Sequence, residues 1–392
     1  MEISYNREIS DEEILLLGLC RLNFSEEYSD RLLKIASRIK GWDYFLSLAS
    51  LHGVASLVSR NLEAAYIEGE VPVRIVNELR SARMMSLGRN AFLFKSAETI
   101  LRTFNDSSLK CILLKGMALE LSVYGNEGLR QMTDIDILLG TDECLKASEL
   151  LEEKGFRKAP VKSWFHRPLT LYTGKHLPSL EKDGVSVDIH HDLFGGRRSV
   201  LTKLLSDNSA PIKVGDQRAF IPESQIFFLY LVKHLWLHEL NNESQLRLYT
   251  DLVVLLEARY GEIINYDLID LASKAGITKI LAHKLEALRD LCGIGFPDWV
   301  DDFIDRWYSP ATVNKFVYFL RSPKNNPPER RGRAYRNSVA AIPGLHRKIL
   351  FVLGDLIPTV GFMKKRYKCS SAITALLHYP LRLGKIILLI RG

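Results

Sequence analysis

The spacing of apolar positions changes twice along the chain. Over the first hundred residues it is helical. "SDEEILLLGLCRL" opens with Ser10 placed to cap a helix and acids in its first turn. "DYFLSLASLHGVASLVSRNLEAAY" and "VPVRIVNELRSARMMSLGRNAFLFKSAETILRTF" then repeat apolar residues at intervals of three and four. A polar cluster at 105–108 ends that pattern, and "KCILLKG" reads as a short buried strand closing at Gly116. "MALELSVYG" fits a short helix stopped by Gly125, "DIDILLG" a second buried strand, and "TDECLKASELLEEKGF" a helix with Thr141 as N-cap and Gly155 at its end. "LTLYTG", "HLPSLEKDG" and "VSVDIHHDL" alternate and are divided by glycines. They predict antiparallel strands, with Lys182-Asp183-Gly184 as a hairpin turn. From "IPESQIFFLYLVKHLWLHEL" onward the period is helical again. It is interrupted by "RSPKNNPPERRGRAYRN", which predicts a mobile loop, and later by Pro358 and Pro380. The expected class is α+β, mostly helical: a small mixed-sheet core over 106–220, an N-terminal helical region over 1–105, a helical domain over 221–310, and a C-terminal helical region over 311–392.

Composition narrows the picture. With 392 residues, 47% hydrophobic and 25% charged, the chain has ordinary soluble character and ample material for more than one core. Cys20, Cys111, Cys144, Cys292 and Cys369 are scattered without a C-x-x-C, which predicts reduced, mostly buried thiols rather than a disulfide framework. The N-terminus does not read as a signal peptide, and no run approaches the ~18 apolar residues of a membrane span. A cytoplasmic protein is expected. Charge is unevenly spread: residues 311–392 hold sixteen Lys/Arg against two acids, while the rest of the chain is net acidic. An anionic partner for that basic region is expected, whether nucleic acid, a phosphorylated ligand or a membrane surface.

The candidate chemistry lies in "LRQMTDIDILL". Asp134 and Asp136 stand in an apolar run, where carboxylates are costly unless partnered by Arg or Lys, by backbone N–H groups or by a metal ion. On a strand, residues i and i+2 share a face, so the two are expected side by side. Close carboxylates repel, and a divalent cation resolves the repulsion. Asp188 in "VSVDIHHDL" is a candidate third carboxylate, with His190 on its strand face and His176 on a neighbouring strand. A bare D-x-D is common, and alone it reads as a salt-bridged structural pair. Lys115-Gly116 upstream and the lone strand Asp188 downstream shift that reading toward a site.

These blocks carry a resemblance. "LLKGMALELSVYGNEGLRQMTDIDILL", "HLPSLEKDGVSVDIHHDLF", and "LVKHLWLHE" with "LRLYTDLVVLL" resemble the uncharacterised nucleotidyltransferase family of the DNA polymerase β-like superfamily. The resemblance covers roughly 90–392. It implies a nucleotidyltransferase-like α/β core. It also implies metals held by Asp134, Asp136 and Asp188, Mg²⁺ or Mn²⁺ as cofactor, and an NTP as substrate. Transfer of a nucleoside monophosphate would follow a two-metal mechanism. Gly116 would let the backbone approach the triphosphate, with Lys115, Arg130, His190 and His176 on the nucleotide side. Many active relatives have Ser where this chain has Met117, so a hydroxyl contact to phosphate is missing. The acceptor can be a protein, an RNA, or a small molecule or saccharide. The alternative reading is a catalytically inactive protein of the same fold that binds nucleic acid or a membrane surface through its basic C-terminal region.

Three other features point away from further sites. His234 and His238 stand at i, i+4, but the acid of H-E-x-x-H is absent, so they are expected to line a helix wall or bond Asp251 and Arg247 rather than hold zinc. "IHHDLFGG" faintly resembles a kinase-like catalytic loop, but Arg197 and Arg198 stand where that loop needs Asn. Trp164 precedes a polar, basic stretch and is expected at a rim or in a core.

Overall fold

The computed structural model of the chain combines many helices with a mixed sheet of seven strands, so the α+β, mostly helical class holds. The structure describes residues 9–125, 128–159, 162–169, 174–194, 199–240, 245–309, 311–321, 335–336, 339–340 and 342–391. Two units divide the chain: one comprises 1–95, 114–133 and 221–325, the other 96–113, 134–220 and 326–392.

The first unit is helical. Ser10 caps the helix Asp11–Gly18 in a reciprocal capping box with Glu13, as the sequence predicts. "DYFLSLASLHGVASLVSRNLEAAY" forms two helices, Trp42–Leu51 and Ala55–Ala64, because Gly53 turns the chain at φ +66°. Val73–Asp106 is one continuous helix. Ser224–Leu240 packs along Leu246–Ile263, burying Phe227, Phe228, Leu252 and Leu256. Between that pair and Thr278–Cys292 lies a buried polar trio in which Lys284 and the Tyr249 hydroxyl both donate to Glu239.

The second unit carries the sheet, in the order β3-β4-β5-β2-β1-β7-β6. These strands are β1 (Ile112–Leu113), β2 (Ile135–Leu138), β3 (Arg157–Lys158), β4 (Leu180–Lys182), β5 (Val185–His190), β6 (Ser209–Val214) and β7 (Gln217–Pro222). At the centre, β2 pairs parallel with β5 and antiparallel with β1. β1 and β2 are buried throughout, which is why they read as near-continuous apolar runs, whereas β5 alternates. Asp183 and Gly184, at φ +48° and +79°, make the β4–β5 hairpin turn at the predicted position.

Several local expectations change. "KCILLKG" supplies only two strand residues, and Lys115-Gly116 open the helix Lys115–Leu119 rather than close a strand. That helix continues through a wider turn, Glu120–Tyr124, to Gly125 at φ +83°. Thr141 does not cap the next helix. The chain turns at 141–143, Glu143 accepts from Gly140 N–H, and the helix runs Cys144–Glu153. Most of "LTLYTG" and of "RSPKNNPPERRGRAYRN" lies outside the described residues. The β6–β7 hairpin was not anticipated. Pro380 sits at the second residue of the helix Tyr379–Arg391, where its missing N–H costs nothing, so it starts a helix instead of breaking one. All five cysteines are free thiols; four are buried, and burial pushes Cys20, Cys144 and Cys292 up to about 12. Among the described residues no helix is long and apolar enough to cross a membrane.

One glycine is fixed by close approach. Gly128 has φ +70°, and a Cβ there would come within 2.5 Å of the Leu87 Cα. Gly128→Ala is expected to cost about 2 kcal/mol or more, from backbone strain plus the clash, measured as a lowered urea midpoint with unchanged slope. An unshifted midpoint would show that this loop is not tightly packed.

Candidate active site

The site in the second unit follows from strand register. β2 and β5 run parallel with Asp136 opposite Asp188 and Leu138 opposite His190. Opposed residues of a parallel pair project to one side, as do residues two apart, so Asp136, Asp188 and His190 share a face. One ligand atom from each of the three lies within 4.8 Å of the others. Asp136 is only 5% exposed and His190 1%. His190 Nε2 stands 2.8 Å from Asp136 Oδ1, a hydrogen bond that requires the proton on Nε2. The Ser179 hydroxyl donates to Asp188 Oδ1 at 2.5 Å, and His176 Nε2 lies 3.9 Å from Asp188 Oδ2. His176 also forms an isolated antiparallel bridge with His190, their rings edge to face with centroids 5.2 Å apart.

Asp134 is placed differently from the expectation. It stands at a bend one residue before β2, half-buried, and the third member of the close group is His190. Two carboxylates and an imidazole at this separation suit a divalent ion in the chemistry of their donors. No other such group occurs among the described residues. His234 and His238 stack edge to face on their own helix at 4.5 Å, outside any such group. Asp192 is occupied with structure: it accepts from the N–H groups of Leu193 and Ser199 and from the Thr202 hydroxyl. Arg197 and Arg198 lie outside the described residues, and Trp164 is exposed.

The remaining sequence candidates, Lys115, Gly116 and Arg130, lie in the first unit. Arg130 is buried, and its guanidinium grips Asp251 through Nε to Oδ1 at 3.2 Å and Nη2 to Oδ2 at 2.9 Å. The Tyr124 hydroxyl donates to the same Oδ1 at 3.0 Å. Burial pushes the Tyr124 hydroxyl well above its usual range, and the Asp251 carboxylate beside it acts the same way. Arg130 also explains Gly116: a Cβ there would meet Arg130 Nη1 at 2.5 Å and Met132 Cγ at 3.0 Å. Lys115 holds φ +46°, a conformation that costs a non-glycine residue energy and recurs at functional corners. Met117 is buried in the core.

The residue that sequence reasoning missed here is Glu120. It is fully buried and accepts from the Gly128 and Arg130 N–H groups at 2.5 and 3.1 Å; burial raises its carboxyl above the usual range. The Ser56 hydroxyl and Asn90 side chain donate to the Gly128 and Arg130 carbonyls, and Arg89 to that of Thr133. The chain leading into D-x-D is thus pinned at Gly128, Arg130 and Thr133. A Glu fourteen residues before the motif was the available signal, but it reads as an ordinary helix surface residue.

Residues 40–293, about two thirds of the chain, match the family model described as "Uncharacterised nucleotidyltransferase". The chain belongs to that family. No curated protein matches it.

Two outcomes are expected. Asp251→Ala strands the buried Arg130 charge and should cost about 3–5 kcal/mol in urea denaturation, against which a loss under about 1 kcal/mol would deny the pair an anchoring role. Mn²⁺ binding, followed by the paramagnetic signal of the free ion, should weaken by about 100-fold or more in Asp136→Asn and by about 10-fold or more in His190→Ala. Equal affinity in parent and variants would remove the cluster as a metal site.

Proposed function

We propose that this member of the nucleotidyltransferase family transfers a nucleoside monophosphate from an NTP to an acceptor hydroxyl, with pyrophosphate as the leaving group. The observation that carries the reading is the convergence of Asp136, Asp188 and His190 on one face of β2 and β5. Asp136 and Asp188 are the ligands for Mg²⁺ or Mn²⁺ in this reading, and Asp134, at the bend before β2, is the further ligand that a two-ion reaction needs. A bound divalent ion supplies neutralisation of the charge that develops on the transferred phosphoryl group.

The chain's own groups do the rest. His190 orients Asp136 through the 2.8 Å hydrogen bond, and Ser179 fixes one Asp188 oxygen, leaving Oδ2 toward His176. Asp188 is the group assigned to take the proton of the acceptor hydroxyl as the oxygen attacks the α-phosphorus. His176 forms a polar wall beside Asp188. For Arg130, in the first unit, we favour shaping the turn at Gly116 over contacting phosphate, because its guanidinium is held by Asp251 and packs against Gly116. Met117, buried in the core, takes the position of the missing hydroxyl without supplying one.

The test is pyrophosphate release from each NTP in Mg²⁺ or Mn²⁺, with protein, RNA and saccharide fractions as acceptors. Asp136→Asn and Asp188→Asn should each reduce kcat by about 100-fold or more, with Asp134→Asn measured alongside. Turnover unchanged by all three substitutions would sink the mechanism. Absence of turnover together with absence of Mn²⁺ binding would favour an inactive fold that only binds.

A further inference from the structure

The C-terminal helices have one built face and one bare face. Ala375, Arg382 and Ile386 are buried at helical spacing, and Arg382 Nε donates to the Asp355 carbonyl at 3.1 Å. On the opposite side, Ile373, Leu377 and Leu381 recur every fourth residue and are 73%, 71% and 59% exposed. The backbone keeps a helical course between them, with Leu377 N–H bonded to Ile373 and Arg382 N–H to His378. Leu345 and Ile349 repeat the pattern on the helix Leu345–Leu356, whose inner side holds Gly354 and Asp355. Large aliphatic side chains laid in water at this density mark an interaction surface.

The charge beside this row identifies what it meets. Lys364, Lys365, Arg366 and Lys368 end the helix Val360–Tyr367, which packs on the helix Ala372–Leu376. Tyr367 stacks on His378 with centroids 4.6 Å apart, holding the basic run next to the apolar row. Only two acids occur in 311–392. Asp355 is fully buried and paired with Lys162, and Glu329 lies outside the described residues. Among the described residues, the surface of this region therefore presents no carboxylate. Two copies of so cationic a face would repel each other. Nucleic acid would use the cations but gains little from aliphatic rows, since bases stack on aromatic and guanidinium planes. An anionic lipid surface uses both.

We propose that the helices of residues 345–391 lay this face on an anionic phospholipid surface. Ile373, Leu377 and Leu381 enter the headgroup boundary, and the basic run pairs with lipid phosphates. Attachment is peripheral, and it does not depend on the transfer reaction.

The full-length protein should cosediment with phosphatidylcholine vesicles containing phosphatidylserine and only weakly with phosphatidylcholine alone. The triple variant Ile373→Glu, Leu377→Glu, Leu381→Glu should lower partitioning by about ten-fold or more. Lys365→Glu with Arg366→Glu should lower it too, and added salt should mimic that loss. The altered side chains are solvent-exposed, so circular dichroism should match the parent, and the charge pair gives an independent reading if the triple variant aggregates. Vesicle binding that survives both variants, or none by the parent, overturns the proposal. So does a parent dimer that the triple variant splits without any vesicle binding, which would make the row a contact between copies. RNA binding lost in the charge pair but kept in the triple variant, with no vesicle binding, would assign the face to nucleic acid.

Discussion

Asp136 is withdrawn from water on a central strand, and the hydrogen bond it shares with His190 is what makes that burial tolerable. The partner reaches it because of register. Parallel pairing of β2 with β5 sets Asp136 opposite Asp188, and His190 follows on the same face. A slip of β2 by one residue against β5 would turn Asp136 to the opposite face and bring Ile135 and Ile137 beside Asp188 and His190. The alternation of apolar and polar positions therefore serves two ends at once. It fixes the pairing through the core and, as a by-product of the same pleat, gathers two carboxylates and an imidazole within ligand distance. An isolated pair of buried carboxylates would raise one another's proton affinity. Here each has its own hydrogen-bond partner, His190 for Asp136 and Ser179 for Asp188, which eases the crowding of the two carboxylates.

The same accounting explains the chain that leads into D-x-D. In the first unit Arg130, Asp251, Tyr124 and Glu120 are all buried, and every one has a specific partner. A buried ion pair is weak evidence of stability in itself, because desolvation offsets much of the attraction. Its value lies in geometry. The bidentate fork allows one orientation of Arg130, and that orientation leaves no room for a side chain at 116. Gly116 is thus glycine for a packing reason that the structure supplies directly, in addition to any role toward a phosphate.

Much of the fold was legible because it rests on local rules. Helical period, the Ser10 capping box and the Asp183-Gly184 turn are written in short windows. Asp136, Asp188 and His190 were each legible as candidates because strand period is two, but the set read from the sequence was Asp134, Asp136 and Asp188, and it took the pairing of β2 with β5 to show His190 beside Asp136. Asp134 was misplaced by one residue of strand boundary, which no propensity resolves. The β6–β7 hairpin was missed although its turn, Gly215-Asp216, is a hairpin dipeptide; the prolines at 211 and 222 weaken the strand reading of "APIKVGDQRAFIP". Arg130 was assigned to phosphate because a buried partner 121 residues away in sequence cannot be read from spacing. Glu120 failed for the same reason: the donors it accepts from are loop N–H groups, and sequence carries no signal for which carboxylate turns inward.

The C-terminal region belongs to the same unit as the sheet, and its inner face shows why it is more than a basic tail. The segment between β3 and β4 is bonded to it three times: Thr359 N–H to the Lys162 carbonyl at 2.8 Å, the Ser163 hydroxyl to the Ile357 carbonyl at 2.6 Å, and His166 Nε2 with the Phe351 carbonyl at 3.0 Å. Burial lowers the His166 pKa, so that ring is held as a neutral group in the contact. Gly354 is glycine because a Cβ would meet His166 Nε2 at 2.4 Å. A face built with such specific contacts fixes the helices' rotation about their axes. The rotation in turn fixes which residues are left outside, and those include Leu345, Ile349, Ile373, Leu377 and Leu381. The exposed row is therefore a consequence of the docking that holds these helices to the unit carrying Asp136 and Asp188, not of a loosely attached end.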